Sequence, residues 1–289
     1  METSDLLKKV RKIEIKTRGL SSQIFSGEYH SAFKGRGMAF SEVREYTPGD
    51  DIRTIDWNVT ARFNAPFVKV FEEERELNVV LLVDISASGN FGTKNQLKKE
   101  LVTELCAVLA FSATTNNDKI GIIFFSDQIE KYIPPKKGKS HILRIIRELL
   151  HIEANKKATN LTHALRFLTQ TIKKRSIVFL ISDFIDDQHF DDAIKIANKK
   201  HDLVALEISD PAETYIPEIG LIKLKDAETG KSMWVDSSST SFQKLFKMEV
   251  LKRENRLKEI FQRAGIDSAK ISTTGGYIKP LMNLFKKRI

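Results

Sequence analysis

Three oxygen-bearing side chains on alternate residues, Asp84, Ser86 and Ser88, form the most chemically suggestive pattern in the chain. Carboxylate and hydroxyl oxygens are ligands that hard cations such as magnesium prefer to nitrogen or sulfur. A second interpretation is structural: Asp84 would cap the following helix while the serines make local turn hydrogen bonds. A five-residue pattern leaves both interpretations open, so the choice depends on residues elsewhere in the chain.

Two later segments offer matching oxygen groups. Thr159 lies in a polar loop before a predicted helix, and Asp183 follows a short apolar run. Hydroxyls bound directly and carboxylates reached through water suit magnesium, because this ion keeps part of its water shell. A cation held mostly by neutral ligands stays electron-poor and would accept a carboxylate from another molecule. The sequence therefore predicts a metal site composed of Asp84, Ser86, Ser88, Thr159 and Asp183.

The strands that would position these residues are short apolar runs. Leu77–Val83 and Arg175–Ile181 are rich in Val, Leu and Ile, which is typical of strands buried on both faces of a parallel sheet. Asp84 and Asp183 follow these runs directly, and open α/β sheets bind ligands at the carboxyl ends of their strands. Strands and helices alternate from residue 77 onward, which predicts an α/β fold with a doubly wound, mostly parallel sheet and right-handed crossovers.

Periodicity also predicts the other elements of this sheet domain. Helices are expected over 94–115, 139–151, 161–173, 187–200, 239–264 and 278–287. Further strands are expected over 119–125, 203–208, 221–224, 233–235 and 266–271. Gln128 to Ile133 should form the hairpin partner of the strand over 119–125, closed by Pro134 and Pro135.

The residues before the first buried strand have a different character. A helix is expected over 4–18 and a loop over 19–37, followed by a β-rich subdomain with strands over 41–46 and 67–71. Thr47-Pro48-Gly49-Asp50 predicts a type II turn. Carboxylates in this segment are candidates for catalytic acids or a second metal site, but the arginines among them favour an ion-pair network.

The chain thus divides into three predicted parts. Residues 1–76 form the N-terminal helix and β-rich subdomain, and residues 77–235 form the sheet domain. Residues 236–289 form a long helix, a strand and a basic terminal helix packed on the same domain. A length of 289 residues is enough for one large domain or two modest ones.

Composition and charge narrow the function classes. Of the net charge of +9, residues 231–289 contribute +8, with 13 basic and 5 acidic side chains. This excess suggests a local contact with acidic protein, phospholipid or nucleic acid, although a solvated basic helix face is commoner.

Cys106 is the one cysteine, so no intramolecular disulfide forms, and its apolar surroundings favour core packing. The N-terminus is polar and no run approaches transmembrane length, so the expected location is the cytoplasm.

The D-x-S-x-S pattern, the later threonine and a later Ile-Ser-Asp resemble the metal-ion-dependent adhesion site of von Willebrand factor A domains. The resemblance implies a Rossmann-like sheet of that type. It also implies that Ser86, Ser88 and Thr159 ligate the metal directly, with Asp84 and Asp183 acting mainly through water. Magnesium is the expected ion and manganese or calcium are alternatives. An empty site is a further alternative, because such domains differ in whether they retain metal.

The segment Arg44–Trp57, which reads R-E-Y-T-P-G-D-D-I-R-T-I-D-W, resembles the signature of the bacterial family called domain of unknown function 58. The Ala61-Arg62 pair and the glutamate-rich run before Leu77 fit as well, and the resemblance covers roughly residues 15–285. Proteins of this family often accompany MoxR-type AAA+ ATPases and are thought to act with them as adaptors or in assembling other complexes. Many relatives have methionine where this chain has Gly89, which leaves the expected ligands intact.

The leading functional hypothesis is a non-enzymatic protein-interaction module. Its magnesium would capture an acidic side chain of a partner, with a MoxR-type AAA+ ATPase as the implied partner. Two alternatives stay open. A metal-dependent hydrolase would need a base, for which His163 is the best candidate, although the six histidines show no paired-ligand spacing and no phosphate-binding loop is present.

Nucleic-acid binding through the basic C-terminal segment is the other alternative, and a peripheral membrane contact is open for the same segment. The aromatic residues of this segment fall at helical spacing, which favours a role in the core over base stacking. They are Phe242, Phe246, Phe261 and Phe285. No specific nucleic-acid partner is therefore expected.

Overall fold

The computed structural model describes residues 29, 31–33, 39–63, 65–72, 76–92, 96–152, 158–186, 188–225 and 230–288. The chain forms two compact units, a small one over Phe33–Leu77 and a larger one that contains Asn78–Ile289. The helix predicted over 4–18 and most of the loop predicted over 19–37 lie outside the described residues. The division at residues 76 and 235 stays a prediction.

The small unit pairs two antiparallel strands, β1 (Ala39–Glu45) and β2 (Phe67–Glu72). A 3₁₀ turn (Ile52–Thr54) and the short helix α1 (Trp57–Phe63) lie between the strands. The turn predicted at Thr47–Asp50 is present, because the Asp50 N–H donates to the Thr47 carbonyl at 3.0 Å. Gly49 there has a φ of +113°, a conformation that side chains with a Cβ rarely adopt. The unit therefore contains the predicted strands together with a helix that the sequence did not indicate.

Two carboxylates of the small unit, those of Asp50 and Asp56, form ion pairs. Arg44 donates two hydrogen bonds to Asp50, at 2.8 and 2.7 Å. Hydrogen bonds from Arg44 and then from the Thr47 N–H hold the pKa of Asp50 well below its usual range. Asp56 pairs with Lys69 at 3.3 Å and also accepts the Asn58 N–H at the start of α1. These contacts support the ion-pair interpretation of this segment.

The larger unit contains eight described strands and six described α-helices. The strands are β3 (Asn78–Asp84), β4 (Lys119–Phe125), β5 (Ile129–Lys136), β6 (Ile177–Ser182), β7 (Asp202–Ser209), β8 (Leu221–Lys225), β9 (Ser232–Asp236) and β10 (Asp267–Ser272). The helices are α2 (Lys98–Thr115), α3 (Lys139–His151), α4 (Leu161–Thr171), α5 (Asp191–Lys200), α6 (Thr240–Ala264) and α7 (Ile278–Arg288). Helices α2 and α5 begin four residues later than the periodicity suggests.

Six of these strands form the central sheet, in the order β10-β7-β6-β3-β4-β5. All neighbours are parallel except β4 and β5, which confirms the predicted mostly parallel α/β fold. Val80 and Leu82 of β3 belong to a core that includes residues of α4, α5 and α6. Val79, Leu81 and Val83 point to the opposite face, because side chains alternate along a strand. Strands β8 and β9 form a separate antiparallel pair.

Helix α2 is buried over most of its length and contacts β4 and β7. Cys106 lies in the middle of this helix and is fully buried, and burial raises the pKa of its thiol. A buried thiol that resists ionisation is a poor nucleophile. The predicted core role of Cys106 is therefore confirmed.

The prediction that Pro134 and Pro135 close the β4–β5 hairpin is wrong. Strand β5 continues through both prolines to Lys136. It is an edge strand, so one of its sides has no neighbouring strand, and a residue without an N–H on that side loses no hydrogen bond of the sheet. The pairing shifts register between Ile120 and Ile122. A Cβ on Gly121 would lie 2.7 Å from the Pro135 nitrogen, so glycine is what lets the two strands approach here.

Part of the aromatic and basic content of the C-terminal elements lies inside the fold. Phe261 and Phe285 are buried, as predicted, while Phe242 stacks on Phe246 with ring centroids 6.1 Å apart. Arg288 pairs with Asp202 and, at 3.5 Å, with Asp267. Over the described residues, no helix has the length and apolar character needed to cross a bilayer.

His201, which follows α5, is fully buried, and neither ring nitrogen has a hydrogen-bond partner among the described residues. Burial, followed by the charges of Lys200 and Arg175, lowers its pKa from 6.5 to about 4. As the pH falls from 6.5 to about 4, His201 therefore binds a proton in the unfolded chain but stays neutral in the folded protein. Because of His201, the free energy of unfolding should fall by on the order of 2 kcal/mol as the pH falls over that interval.

We predict that His201→Leu will remove this part of the acid sensitivity while leaving neutral stability nearly unchanged. Urea unfolding across the same pH interval measures the effect, with His151→Gln as a control at an exposed histidine. An unchanged pH dependence in His201→Leu would show that other groups cause the sensitivity.

Candidate metal-binding site

The site begins at the carboxyl end of β3, where Asp84 is held from two directions. One carboxylate oxygen accepts the Ser86 N–H at 2.9 Å. The other accepts the hydroxyl of Ser182 at 2.6 Å, from the end of the neighbouring strand β6. Because β3 and β6 pair in parallel with Val83 opposite Ile181, their ends lie side by side. Asp84 therefore links two strand ends at one edge of the sheet.

The two serines of the pattern lie in a 3₁₀ turn over Ala87–Asn90 and the residue before it. The hydroxyl oxygens of Ser86 and Ser88 are 3.0 Å apart, and Ser86 is only 3% exposed. Gly89 has no positive φ, and a Cβ there would meet nothing within 4 Å. The turn thus presents both hydroxyls together, and it has room for a side chain at Gly89.

Asp183 follows β6 and lies in a tightly constrained loop. The next residue, Phe184, has a φ of +55°, which is strained for a residue other than glycine. Two contacts hold it: its N–H donates to the Ser182 hydroxyl at 3.0 Å, and its ring packs edge-on against Phe261 with centroids 5.1 Å apart. Ser182 consequently couples the backbone of this loop to Asp84.

The sequence did not indicate the main partner of Asp183. Lys98, the first residue of α2, is 2% exposed and donates to Asp183 at 3.0 Å. The same ammonium group also pairs with Glu213, in the turn after β7. Burial opposes the charge of Lys98, but Asp183 and Glu213 outweigh burial and raise the pKa of Lys98. The carboxylate of Asp183 is therefore compensated by an internal cation.

Thr159 lies at the same edge of the sheet. It is 6% exposed, and the loop around it is anchored by its next two residues. The Asn160 N–H donates to the Ser126 carbonyl after β4 at 2.9 Å, and the Leu161 N–H donates to Asp186 after β6 at 2.8 Å. Because β4 and β6 flank β3, this loop crosses the end of β3.

The structure therefore brings Asp84, Ser86 and Ser88 into one hydrogen-bonded group and places Asp183 next to it. It holds the Thr159 loop over the same edge of the sheet. A shared ligand shell, with Thr159 bound to the same ion as Ser86, stays a prediction.

The electrostatics at Asp84 differ from those at Asp183. Burial, followed by the nearby charge of Asp183, raises the pKa of Asp84 to about 7. Its hydrogen bonds come from neutral donors, and among the described residues no cation pairs with it. A cation bound beside Asp84 would lower that pKa, because an opposite charge favours the ionised form.

The donor set fits a hard divalent cation. Carboxylate and hydroxyl oxygens suit magnesium, manganese or calcium. Within the described part of the chain no group of three His, Cys, Asp or Glu side chains could hold a metal, so a site here depends on hydroxyl ligands. Ser86, Ser88 and Thr159 would hold the ion, with Asp84 and Asp183 stabilising its water ligands.

Three residues of this site were missed by sequence reasoning: Ser182, Lys98 and Glu213. Ser182 was within reach, because it precedes Asp183 at the end of a predicted strand. Nothing in the sequence indicates that Lys98 is buried at the site, since a lysine at the start of a helix normally faces solvent. Glu213 lies 115 residues from Lys98 along the chain, and only the fold brings them together.

Comparison with known proteins identifies the family of this chain. The family model described as "Protein of unknown function DUF58" matches residues 42–256. The chain belongs to the DUF58 family. An uncharacterized protein of Mycobacterium tuberculosis is 29% identical to this DUF58 chain over 224 residues, covering 76% of this chain and 70% of the relative. The family assignment made from the Arg44–Trp57 signature is therefore confirmed.

Solved structures share the fold of this DUF58 protein. The conserved hypothetical protein BatB from Bacteroides thetaiotaomicron has a TM-score of 0.51 at 18% identity, covering 73% of this chain and 98% of BatB. An aerotolerance-related membrane protein from Bacteroides fragilis has the same TM-score at 16% identity, covering 73% of this chain and 99% of that chain. At these identities the likeness concerns the fold alone.

We predict that Lys98→Met will destabilise the protein strongly, because it leaves Asp183 and Glu213 without their shared cation. Removing one partner of a buried ion pair costs about 3–5 kcal/mol. The control is Lys131→Met, which breaks an ion pair to Glu148 at 2.7 Å whose lysine side chain is 40% exposed. That change should cost less than about 1 kcal/mol. Urea unfolding compares the two, and equal losses would contradict a structural role for the buried pair.

Proposed function

We propose that this protein is a non-enzymatic interaction module of the von Willebrand factor A type, which presents a magnesium ion to an acidic residue of a partner protein. One observation carries the proposal. The carboxylate of Asp84 lies beside the hydrogen-bonded hydroxyls of Ser86 and Ser88 and accepts hydrogen bonds only from neutral groups among the described residues. Its pKa is raised by burial and by the charge of Asp183. A divalent cation would compensate Asp84 as Lys98 compensates Asp183.

The ligand chemistry favours capture of a foreign carboxylate. Direct ligands from Ser86, Ser88 and Thr159 would be neutral, so they would reduce the charge of the ion little. An ion in that state gains most from an anionic ligand at its open coordination position. The partner that the family resemblance suggests is a MoxR-type AAA+ ATPase, with this protein acting as its adaptor in the cytoplasm.

The contacts offer less support to a hydrolase. His163 was the candidate base, but it is exposed, and its backbone N–H donates to Asn160 at the start of α4. The basic C-terminal segment likewise directs part of its charge inward, to Asp202 and Asp267. Neither alternative has an observation of its own in its favour.

We predict that magnesium will raise the melting temperature of the wild-type protein and not that of Ser86→Ala. Magnesium about a hundredfold above its Kd is worth about 2.7 kcal/mol, or roughly 5–10 °C for a domain of this size. Ser176→Ala is the matched control, because Ser176 is a buried serine at the opposite end of the same sheet, just before β6. A shift of equal size in Ser86→Ala would place the ion elsewhere.

We predict that a complex with the MoxR-type ATPase of the same genome will form in magnesium and dissociate in chelator. Asp84→Ala and Ser86→Ala should abolish it, while Ser176→Ala should retain it. Size-exclusion chromatography of the purified pair measures complex formation. A complex that survives chelator and both site variants would contradict the proposed role of the metal.

A further inference from the structure

A cleft separates α6 from the loop after β6. Its volume is about 290 Å³, and its apolar surface comes from Phe184, Phe190, Leu257 and Ile260. All four of these residues are buried and belong to the main hydrophobic core. The cleft therefore has a rigid apolar floor, which is typical of a preformed binding site.

The rim of this cleft carries three cations from neighbouring turns of α6: Lys252, Arg253 and Arg256. All three are exposed. Lys252 lies 3.9 Å from Glu249, with both side chains more than 70% exposed, so that pair is weak. Arg256 bonds to a ring nitrogen of His189 at 2.8 Å, and Arg253 makes no ion pair or hydrogen bond among the described residues.

Among the described residues, neither arginine forms an ion pair with an acidic residue of the rim. Both carboxylate oxygens of Asp186 accept backbone N–H groups, from Leu161 and from Gln188, at 2.8 Å each. Glu249 is paired only with Lys252 among the described residues. Arg253 and the remaining N–H groups of Arg256 thus lie above an apolar floor, an arrangement suited to binding of carboxylates.

The cleft lies next to one residue of the candidate metal site, Asp183. Phe184, Ile185 and Asp186 line the cleft, and they follow Asp183 directly in the chain. Arg253 lines in addition a small neighbouring cavity of about 20 Å³, whose walls include Asp183 and Glu213. A cavity of that size holds about one water molecule. A partner seated in the cleft would therefore lie close to Asp183, one of the residues of the proposed metal site.

We propose that this cleft is a second anchor for the partner and binds an acidic peptide segment, with an apolar side chain on the floor and carboxylates on Arg253 and Arg256. This inference rests on the proposed function, in which a carboxylate of the same partner reaches the cation. A concave apolar floor fits a peptide, whereas a bilayer or nucleic acid would need an extended basic surface. The cations that line the cleft lie on neighbouring turns of one helix.

The test measures fluorescence anisotropy of a labelled peptide of alternating Glu and Leu residues, with a Gln-Leu peptide as the uncharged probe. The wild-type full chain should bind the acidic peptide in chelator and more tightly in magnesium. The double variant Arg253→Gln with Arg256→Gln should weaken binding about tenfold or more in both buffers. The control is Lys244→Gln with Lys247→Gln, which removes the same charge from exposed positions of α6 outside the cleft.

Equal weakening by the control pair, or equal binding of the Gln-Leu peptide, would overturn the inference. So would arginine-dependent binding of phosphatidylserine vesicles or RNA in the absence of peptide binding. If the double variant fails to fold, the single Arg256→Gln variant replaces it, with a proportionally smaller loss of affinity expected.

The Ser86→Ala variant distinguishes the two proposals. It should remove only the magnesium-dependent gain, and a magnesium-independent wild type would refute the metal site while leaving the cleft intact.

Discussion

Compensation of buried negative charge is the constraint on which this site depends. Asp84 and Asp183 lie at the carboxyl ends of neighbouring parallel strands; Asp84 is half-buried, and the side chain of Asp183 is 5% exposed. Burying an ionised group without a partner is expensive, so the structure must provide a counter-charge or keep the group protonated. Lys98 provides that counter-charge for Asp183. For Asp84 the described residues provide only neutral donors, and its pKa rises to about 7.

This asymmetry explains why the site is suited to binding. A lysine fixed by two carboxylates is a permanent part of the fold, whereas the proposed metal ion beside Asp84 would be exchangeable. The hydroxyl of Ser182 connects the two halves, because it donates to Asp84 and accepts the Phe184 N–H of the loop that contains Asp183. Changes in the charge at Asp84 therefore have a direct structural route to the loop that also lines the α6 cleft.

Much of the fold could be predicted because the sheet signals are local. The Val- and Leu-rich run before Asp84 predicts a doubly buried strand, and the parallel sheet follows from alternation of strands and helices. The prolines of β5 were misjudged, because their tolerance depends on β5 being an edge strand and on Gly121 facing them. The position of a strand at the edge of a sheet is a property of the assembled sheet, and it cannot be recognised from the sequence of β5 alone.

The candidate site was predictable only in part, for the same reason. Asp84, Ser86 and Ser88 are close in sequence, and Asp183 ends a recognisable strand. Lys98, Glu213 and Arg253 come from a helix start, a turn and a distant helix, and their relation to the site exists only after folding. Sequence patterns can thus indicate candidate ligands for a cation, but the charged residues around the candidate site have to be identified from the structure.

The most direct test of the central claim is a crystal structure grown with manganese, whose anomalous signal identifies the ion. The account predicts one peak within about 2.5 Å of the Ser86 and Ser88 hydroxyl oxygens, with Thr159 in the same coordination shell and Lys98 still paired with Asp183. An absence of any peak at this edge of the sheet, or a peak whose shell excludes Ser86, would contradict it.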